Sequence, residues 1–273
     1  MTAVTLPARA PRSGLLGRGF ATLLVTEAKV WLRDSAVFWV AFPTLVLAAT
    51  LLVSPEMREV VQGYGWESAQ GHPVYGSAAV LMMLPGLITL CLGMTTLAIL
   101  PATFAGFRES GVLKLFSASP MRPQALFAAH ATINLVASLL GTVLMVAVTA
   151  AMAPIAMPRH LAVTLAGLLL GLVALLAVGS LVAAVVPRAN VATIVGNTAF
   201  FGFMFASGIM TGGAAQSGGA LFQVARATPM GAAAQIIQYG WIGGETFPWV
   251  QMLVLSAWAV VCAPLAVKLF RWR

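Results

Sequence analysis

Charge is what this sequence has least of. Only 8% of its 273 residues are Asp, Glu, Lys or Arg, against about 25% in ordinary soluble domains. With 60% hydrophobic residues and a mean hydropathy of +0.95, a soluble globule is excluded. The apolar runs are long and unbroken rather than alternating, which points to helical membrane spans and away from a β-barrel. The runs read as spans contain no Asp or Glu, so the paired intramembrane carboxylates of a proton- or sodium-coupled carrier are missing. None of the three lysines, Lys29, Lys114 and Lys268, follows a glycine. There is therefore no phosphate-cradling G-x-x-x-x-G-K-[ST] loop. His72, His130 and His160 are scattered without ligand spacing, and no metal site is expected. Cys91 and Cys262 lie inside apolar runs and read as small core residues. No nucleophile-and-base pair suggests an intramembrane enzyme. The net charge of +8 is spread among the spans rather than gathered into a nucleic-acid patch.

What is present reads as one membrane domain, residues 14–273, behind a flexible tail, residues 1–13, with Pro7, Arg9, Pro11 and Arg12. No apolar run directly follows the first basic residues, so a cleavable signal peptide is not expected. Residues 14–34 place Leu16, Phe20, Leu23, Leu24 and Trp31 on one helical face and Arg18, Thr22, Lys29 and Arg33 on the other. That is the pattern of an amphipathic helix lying among lipid headgroups. Spans are expected at about 36–53, 77–104 (with Pro85 and Pro101 as kinks), 124–152 (carrying Asn134), 161–186, 191–210 and 248–268. A polar loop, 54–76, with Glu56, Arg58, Glu59, Glu67 and His72, separates the first two. Gly167 and Gly171 have the spacing that lets helix backbones approach. The segment 211–247 is Gly-rich and then too short and interrupted for a crossing, so it reads as a half-inserted or interfacial helical element.

The most informative stretch is 107–123, FRESGVLKLFSASPMRP. Lys or Arg at a bilayer centre costs about 2.5–3.5 kcal/mol each, so Arg108, Lys114 and Arg122 keep it out of the hydrocarbon. Val112, Leu113, Leu115 and Phe116 form a short apolar stripe, and Pro120 and Pro123 end the helix. Arg108 and Glu109 enter this helix, Gly111 permits close backbone approach, and the whole reads as a surface that docks a partner. With the N-terminus in the cytoplasm, the inner side collects Arg9, Arg12, Arg18, Lys29, Arg33, Arg108, Lys114, Arg122, Arg188, Lys268, Arg271 and Arg273. The outer side keeps Arg58, Arg159 and Arg226, a division of the 15 Lys and Arg into 12 and 3. Six crossings with both termini cytoplasmic follow.

Arg108-Glu109-Ser110-Gly111-Val112-Leu113, with Ser119-Pro120 further on, resembles the cytoplasmic loop of type-2 ABC exporter permeases. That loop pairs an acidic residue with a Gly two positions later and a Leu-rich helix ending in Thr-Pro or Ser-Pro. The N-terminal amphipathic helix is similar to the family's elbow helix. Thr228-Pro229-Met230-Gly231 resembles the motif of its outer re-entrant hairpin. The daunorubicin-resistance branch of drug-export permeases is the nearest likeness, although Val112 stands where the family often has Thr and the usual Leu-Pro pair before the hairpin is missing.

The resemblance implies an all-α polytopic membrane protein. It would have six transmembrane helices, an elbow helix, a cytoplasmic coupling helix and an outer re-entrant hairpin before the last helix. It implies a non-enzymatic permease subunit in the cell membrane, exporting a hydrophobic small molecule, drug or lipid-like compound. A second permease copy, identical or related, would pair with it. A separate cytoplasmic ABC ATPase would carry the ATP and Mg; this chain would hold no cofactor, and its surroundings would be lipid. Coupling would fall to Arg108, Glu109, Gly111, Leu113, Lys114, Phe116 and Pro120. Phe38, Trp39 and Phe42, with Asn197, Phe201 and Met204, suit a groove between two copies of the chain, for flat apolar ligands oriented by one amide. The competing readings are a carrier or channel that works alone and a membrane assembly factor without transport.

Overall fold

The computed structural model describes residues 18–33, 36–67, 73–77, 83–112, 123–153, 158–209, 220–243 and 246–269. The tail 1–13, Leu16, and Leu113, Lys114, Phe116 and Pro120 of the docking stretch lie outside these residues.

Helix α1 (Arg18–Arg33) follows the amphipathic pattern. Leu23 is buried, Phe20 and Trp31 pack against the core, and Lys29 and Arg33 are exposed. It meets α2 (Ala36–Val53) at a bend of 53°. The end of α2 leaves carbonyls without helical donors. Arg58, on a 3₁₀ turn Pro55–Arg58, donates its Nε–H to one of them, Leu51 O.

The loop that follows is more ordered than its charges suggested. Strands β1 (Val60–Glu67) and β2 (Pro73–Ser77) pair antiparallel, with Val60 opposite Ser77, Val61 opposite Gly76 and Gln62 opposite Tyr75. Val60, Val61, Tyr64, Trp66, Val74 and Tyr75 are the strand-favouring residues of this segment. Reading it as polar gave weight to Glu56, Glu59 and Glu67 and missed them. The remainder of the described chain is helical.

The second span differs most from expectation. Instead of 77–104, one helix, α3, runs Leu84–Glu109. It comprises an α-helical half Leu84–Gly93, a π-helical segment Met94–Ile99 and a second α-helical half Leu100–Glu109. Pro85 stands in the first turn, where its missing N–H costs nothing, so it makes no kink. Pro101 is the second residue beyond the π segment. Arg108 and Glu109 therefore end α3 rather than opening a separate docking helix.

Helices α4 (Pro123–Met152), α5 (Leu161–Val185), α6 (Ala189–Ala206), α7 (Ala220–Ala227), α8 (Pro229–Ile242) and α9 (Trp249–Leu269) complete the described chain. Five of the helices, α3, α4, α5, α6 and α9, are each long and apolar enough to cross a bilayer, and the bent pair α1–α2 raises the number to six. Helices α3 and α5 form the centre: 78% and 67% of their most apolar windows are buried, against 28%, 22% and 17% for α4, α6 and α9. The outer three turn side chains such as Leu140, Val143, Ile194, Phe205, Leu253 and Val260 outward, as lipid contact requires.

At 14 residues, α8 reaches only about 21 Å, short of the roughly 30 Å hydrocarbon thickness. It packs against α5 and α9. The approach anticipated at Gly167 and Gly171 is made to α8: a Cβ on Gly167 would stand 2.7 Å from Ile236 Cγ2, and one on Gly171 2.8 Å from Ala233 Cβ. The α8 carbonyls of Gly240 and Trp241 in turn accept the N–H groups of His160 (2.9 Å) and Arg159 (3.3 Å), which enter α5.

Candidate functional site

Two places in this fold gather the residues of interest. The first is a cavity of about 360 Å³ between α2, α3 and α6. It is lined by Trp39 of α2, by Met94, Ala98, Ile99, Ala102 and Thr103 of α3, and by Thr193, Asn197, Phe200 and Phe201 of α6. This volume lies in the range of small-molecule sites, about 300–1,000 Å³. Of the six groove residues expected from sequence, three, Trp39, Asn197 and Phe201, meet here. Phe38 and Phe42 stand beside Trp39, with ring centroids 5.7 and 6.2 Å from it. Met204 does not line the cavity; it is buried in the core.

Among the described residues, the lining bears no charged side chain. Its polar groups are an amide, the indole N–H of Trp39 and two threonine hydroxyls, and each of those hydroxyls already donates one turn back, Thr103 to Ile99 O (3.1 Å) and Thr193 to Ala189 O (3.0 Å). These groups offer no side chain suited to acid–base chemistry. Sequence reasoning missed Thr193 and Phe200, although with Asn197 they fall at the i, i+4, i+7 spacing of one helical face. Met94, Ala98 and Ile99 were not legible, because the π segment breaks the α-helical period that would have grouped them.

The second place is the end of α3. Arg108 sends Nη1–H to Val186 O (3.0 Å) and Nη2–H to Ala183 O (3.2 Å), both at the C-terminus of α5. Glu109 Oε1 accepts the N–H of Ala189 (3.1 Å), the first residue of α6. A cation at a helix C-terminus and an anion at a helix N-terminus are each stabilised by the helix dipoles. Together the two side chains clamp the turn between α5 and α6. Gly111 follows with φ +76°, and a Cβ there would meet no atom of the described residues within 4 Å. What Gly111 supplies within the described chain is left-handed backbone.

Beside this end, Glu27 of α1 approaches His130 of α4, Oε2 to Nε2 3.8 Å. The His130 ring packs edge-on against Phe104 (5.1 Å) and Phe107 (5.5 Å) of α3. Glu27 went unremarked in the sequence, yet it sits one turn from both Leu23 and Trp31, on the apolar face. Asn134 donates to His130 O in its own helix (2.9 Å).

The Thr228-Pro229-Met230-Gly231 motif makes the break between α7 and α8. Thr228 Oγ1 accepts the N–H of Gly231 (3.1 Å) and donates to Ala225 O (2.8 Å). A side chain at Gly231 would overlap Ala225 O. From α9, Trp258 donates its indole N–H to Ala227 O (3.0 Å) and so ties the last span to the break.

No relative among curated proteins matches the chain. A family model described as ABC-2 type transporter matches residues 18–242, from the first residue of α1 to the last of α8. The chain belongs to the ABC-2 type transporter membrane family, as a multi-pass permease subunit.

Proposed function

We propose that this chain is the membrane half of an ATP-driven exporter of the daunorubicin-resistance type, moving uncharged, largely apolar small molecules outward through the cavity between α2, α3 and α6. The observation that carries this reading is the cavity itself: Trp39 of α2 meets Asn197 and Phe201, neighbours on one face of the distant α6, in one pocket of small-molecule size. Phe38 and Phe42, beside Trp39, extend its aromatic rim, whereas Met204 lies in the core. A lipid-like compound fits the same chemistry.

Both termini are cytoplasmic in this reading, which leaves 12 of 15 cations inside. Helix α1 is the elbow, and α7–α8 is the outer re-entrant hairpin. A second copy, identical or related, faces this one, and each binds a separate ABC ATPase through the stretch that begins at Arg108 and includes Leu113, Lys114, Phe116 and Pro120. ATP and Mg stay on that subunit. Closure of the ATPases pushes the stretch, and the Arg108–Glu109 clamp passes the push to α5 and α6, one of which borders the cavity.

Purification from native membranes through a tag on this chain tests the proposal. An ATPase subunit should accompany it, and Lys114→Glu with Phe116→Ala should release that subunit while leaving insertion unchanged. A chain that transports with no ATPase present is instead a carrier or channel working alone.

A further inference from the structure

The π segment Met94–Ile99 has a chemical cause in the sequence. In an α-helix the carbonyl of Leu97 would accept the N–H of residue 101, but that residue is Pro101 and has none. The helix widens there, and two neighbouring helices bring glycines to the spot. A Cβ on Gly179 of α5 would overlap Thr96 O, and one on Gly196 of α6 would overlap Leu97 O. The hydrogens that stand in place of those Cβ atoms face consecutive carbonyls, a weak Cα–H···O contact at each.

The two halves of α3 are also gripped by different partners. Leu84–Gly93 packs mainly on α2, α4 and α8, while Leu100–Glu109 packs on α5 and α6 and carries the clamp at its end. Between them, Met94, Ala98 and Ile99 of the π segment line the cavity.

We propose that Met94–Ile99 is a swivel within α3, running on Gly179 and Gly196, which turns the α3 wall of the cavity when the clamped end moves. A π turn holds one residue more than an α turn, and passing that residue along the helix rotates the side chains it passes over by about 100°. Motion applied at Arg108 and Glu109 is absorbed at the segment and read out at Ala98 and Ile99. Gly179 and Gly196 are positioning residues: they touch the freed carbonyls and not the guest. The proposal rests on the reading of the cavity as the transport path only for its purpose, since the motion itself needs neither substrate nor ATPase.

The test uses the full chain in lipid nanodiscs. In hydrogen exchange, amides over 94–102 should exchange at least tenfold faster than those over 86–93 and 103–109. Pro101→Ala restores the missing donor and should slow 94–102 to the rate of its flanks. In a Cys91→Ser, Cys262→Ser background, Ala98→Cys should react with a small polar thiol reagent, and Pro101→Ala should reduce that rate at least tenfold. Gly179→Ala and Gly196→Ala should likewise reduce it; where either fails to fold, Pro101→Ala still decides. Uniform protection along α3, or unchanged exchange and thiol reactivity in Pro101→Ala, overturns the swivel. Failure of the transport-path reading shows separately, as export unaffected by Asn197→Ala and Phe201→Ala.

Discussion

Glu109 Oε1 accepts the backbone N–H of Ala189 at 3.1 Å, across 80 residues of sequence, and so caps helix α6 from the end of helix α3. This bond, with the Arg108 pair to Val186 O and Ala183 O, joins the stretch proposed to dock an ATPase to a helix that lines the cavity. Glu109→Lys removes the acceptor and sets a cation at the positive end of α6. The expected result is a protein that still inserts, at a cost of about 1 kcal/mol for the lost cap, with export abolished and ATP hydrolysis no longer responsive to the exported compound. Export by membrane vesicles and ATPase activity of the purified complex check this together. Glu109→Gln keeps an acceptor and should retain a substantial part of both activities.

Gly111 separates two explanations of its role. Its φ of +76° favours glycine, with Asn next best, while no atom of the described residues would crowd a Cβ there. Gly111→Asn should therefore approach wild-type export, whereas Gly111→Val, with its β-branched side chain in left-handed backbone, should lose most of it. Equal loss in both variants would mean that size, and so close approach, is the constraint.

The α5–α8 contact gives a stability prediction. Gly167→Val and Gly171→Val push side chains into Ile236 and Ala233 and should destabilise the protein by about 1–3 kcal/mol. Gly202→Ala on α6, where a Cβ meets nothing within 4 Å, is the control and should leave Tm unchanged or slightly raised. Thermal unfolding in detergent, followed by near-UV signals, reads the difference.

Much of this fold was legible because span length and hydropathy are constraints of the bilayer itself. The expected first span, 36–53, coincides with α2, and the third, fourth and sixth lie within about two residues of α4, α5 and α9. The fifth, α6, begins two residues earlier and ends four residues sooner than expected. The second span misled because apolar residues 78–82 precede the helix and because Arg108 looked like the start of a separate docking helix. In fact its guanidinium finds two carbonyls and stays with the helix. The cavity was half legible: Asn197 stood out as an amide in an apolar run, but nothing local says that Met94 and Thr103 face it. Glu27 meeting His130, and Glu109 meeting Ala189, are products of tertiary packing that no sequence period encodes.

Orientation is tested by single-cysteine labelling with an impermeant reagent in intact cells, in the Cys91→Ser, Cys262→Ser background. Glu67→Cys and Gly218→Cys should be modified from outside and Ser117→Cys only after the cells are opened. Modification of Ser117→Cys in intact cells would reverse the topology and remove the docking stretch from the cytoplasm.

The most direct measurement of the central claim is uptake of a neutral aromatic dye, 1-N-phenylnaphthylamine, into inside-out vesicles containing this chain and its co-purifying ATPase, with and without ATP. Uptake should require ATP and should be absent in Glu109→Lys. In Asn197→Ala and Phe201→Ala, uptake of this dye relative to Nile red should change at least tenfold, whereas Met204→Ala should lower Tm by removing core packing without altering that ratio. ATP-independent uptake, or wild-type uptake in Glu109→Lys together with an unchanged dye ratio in both cavity variants, would contradict the account.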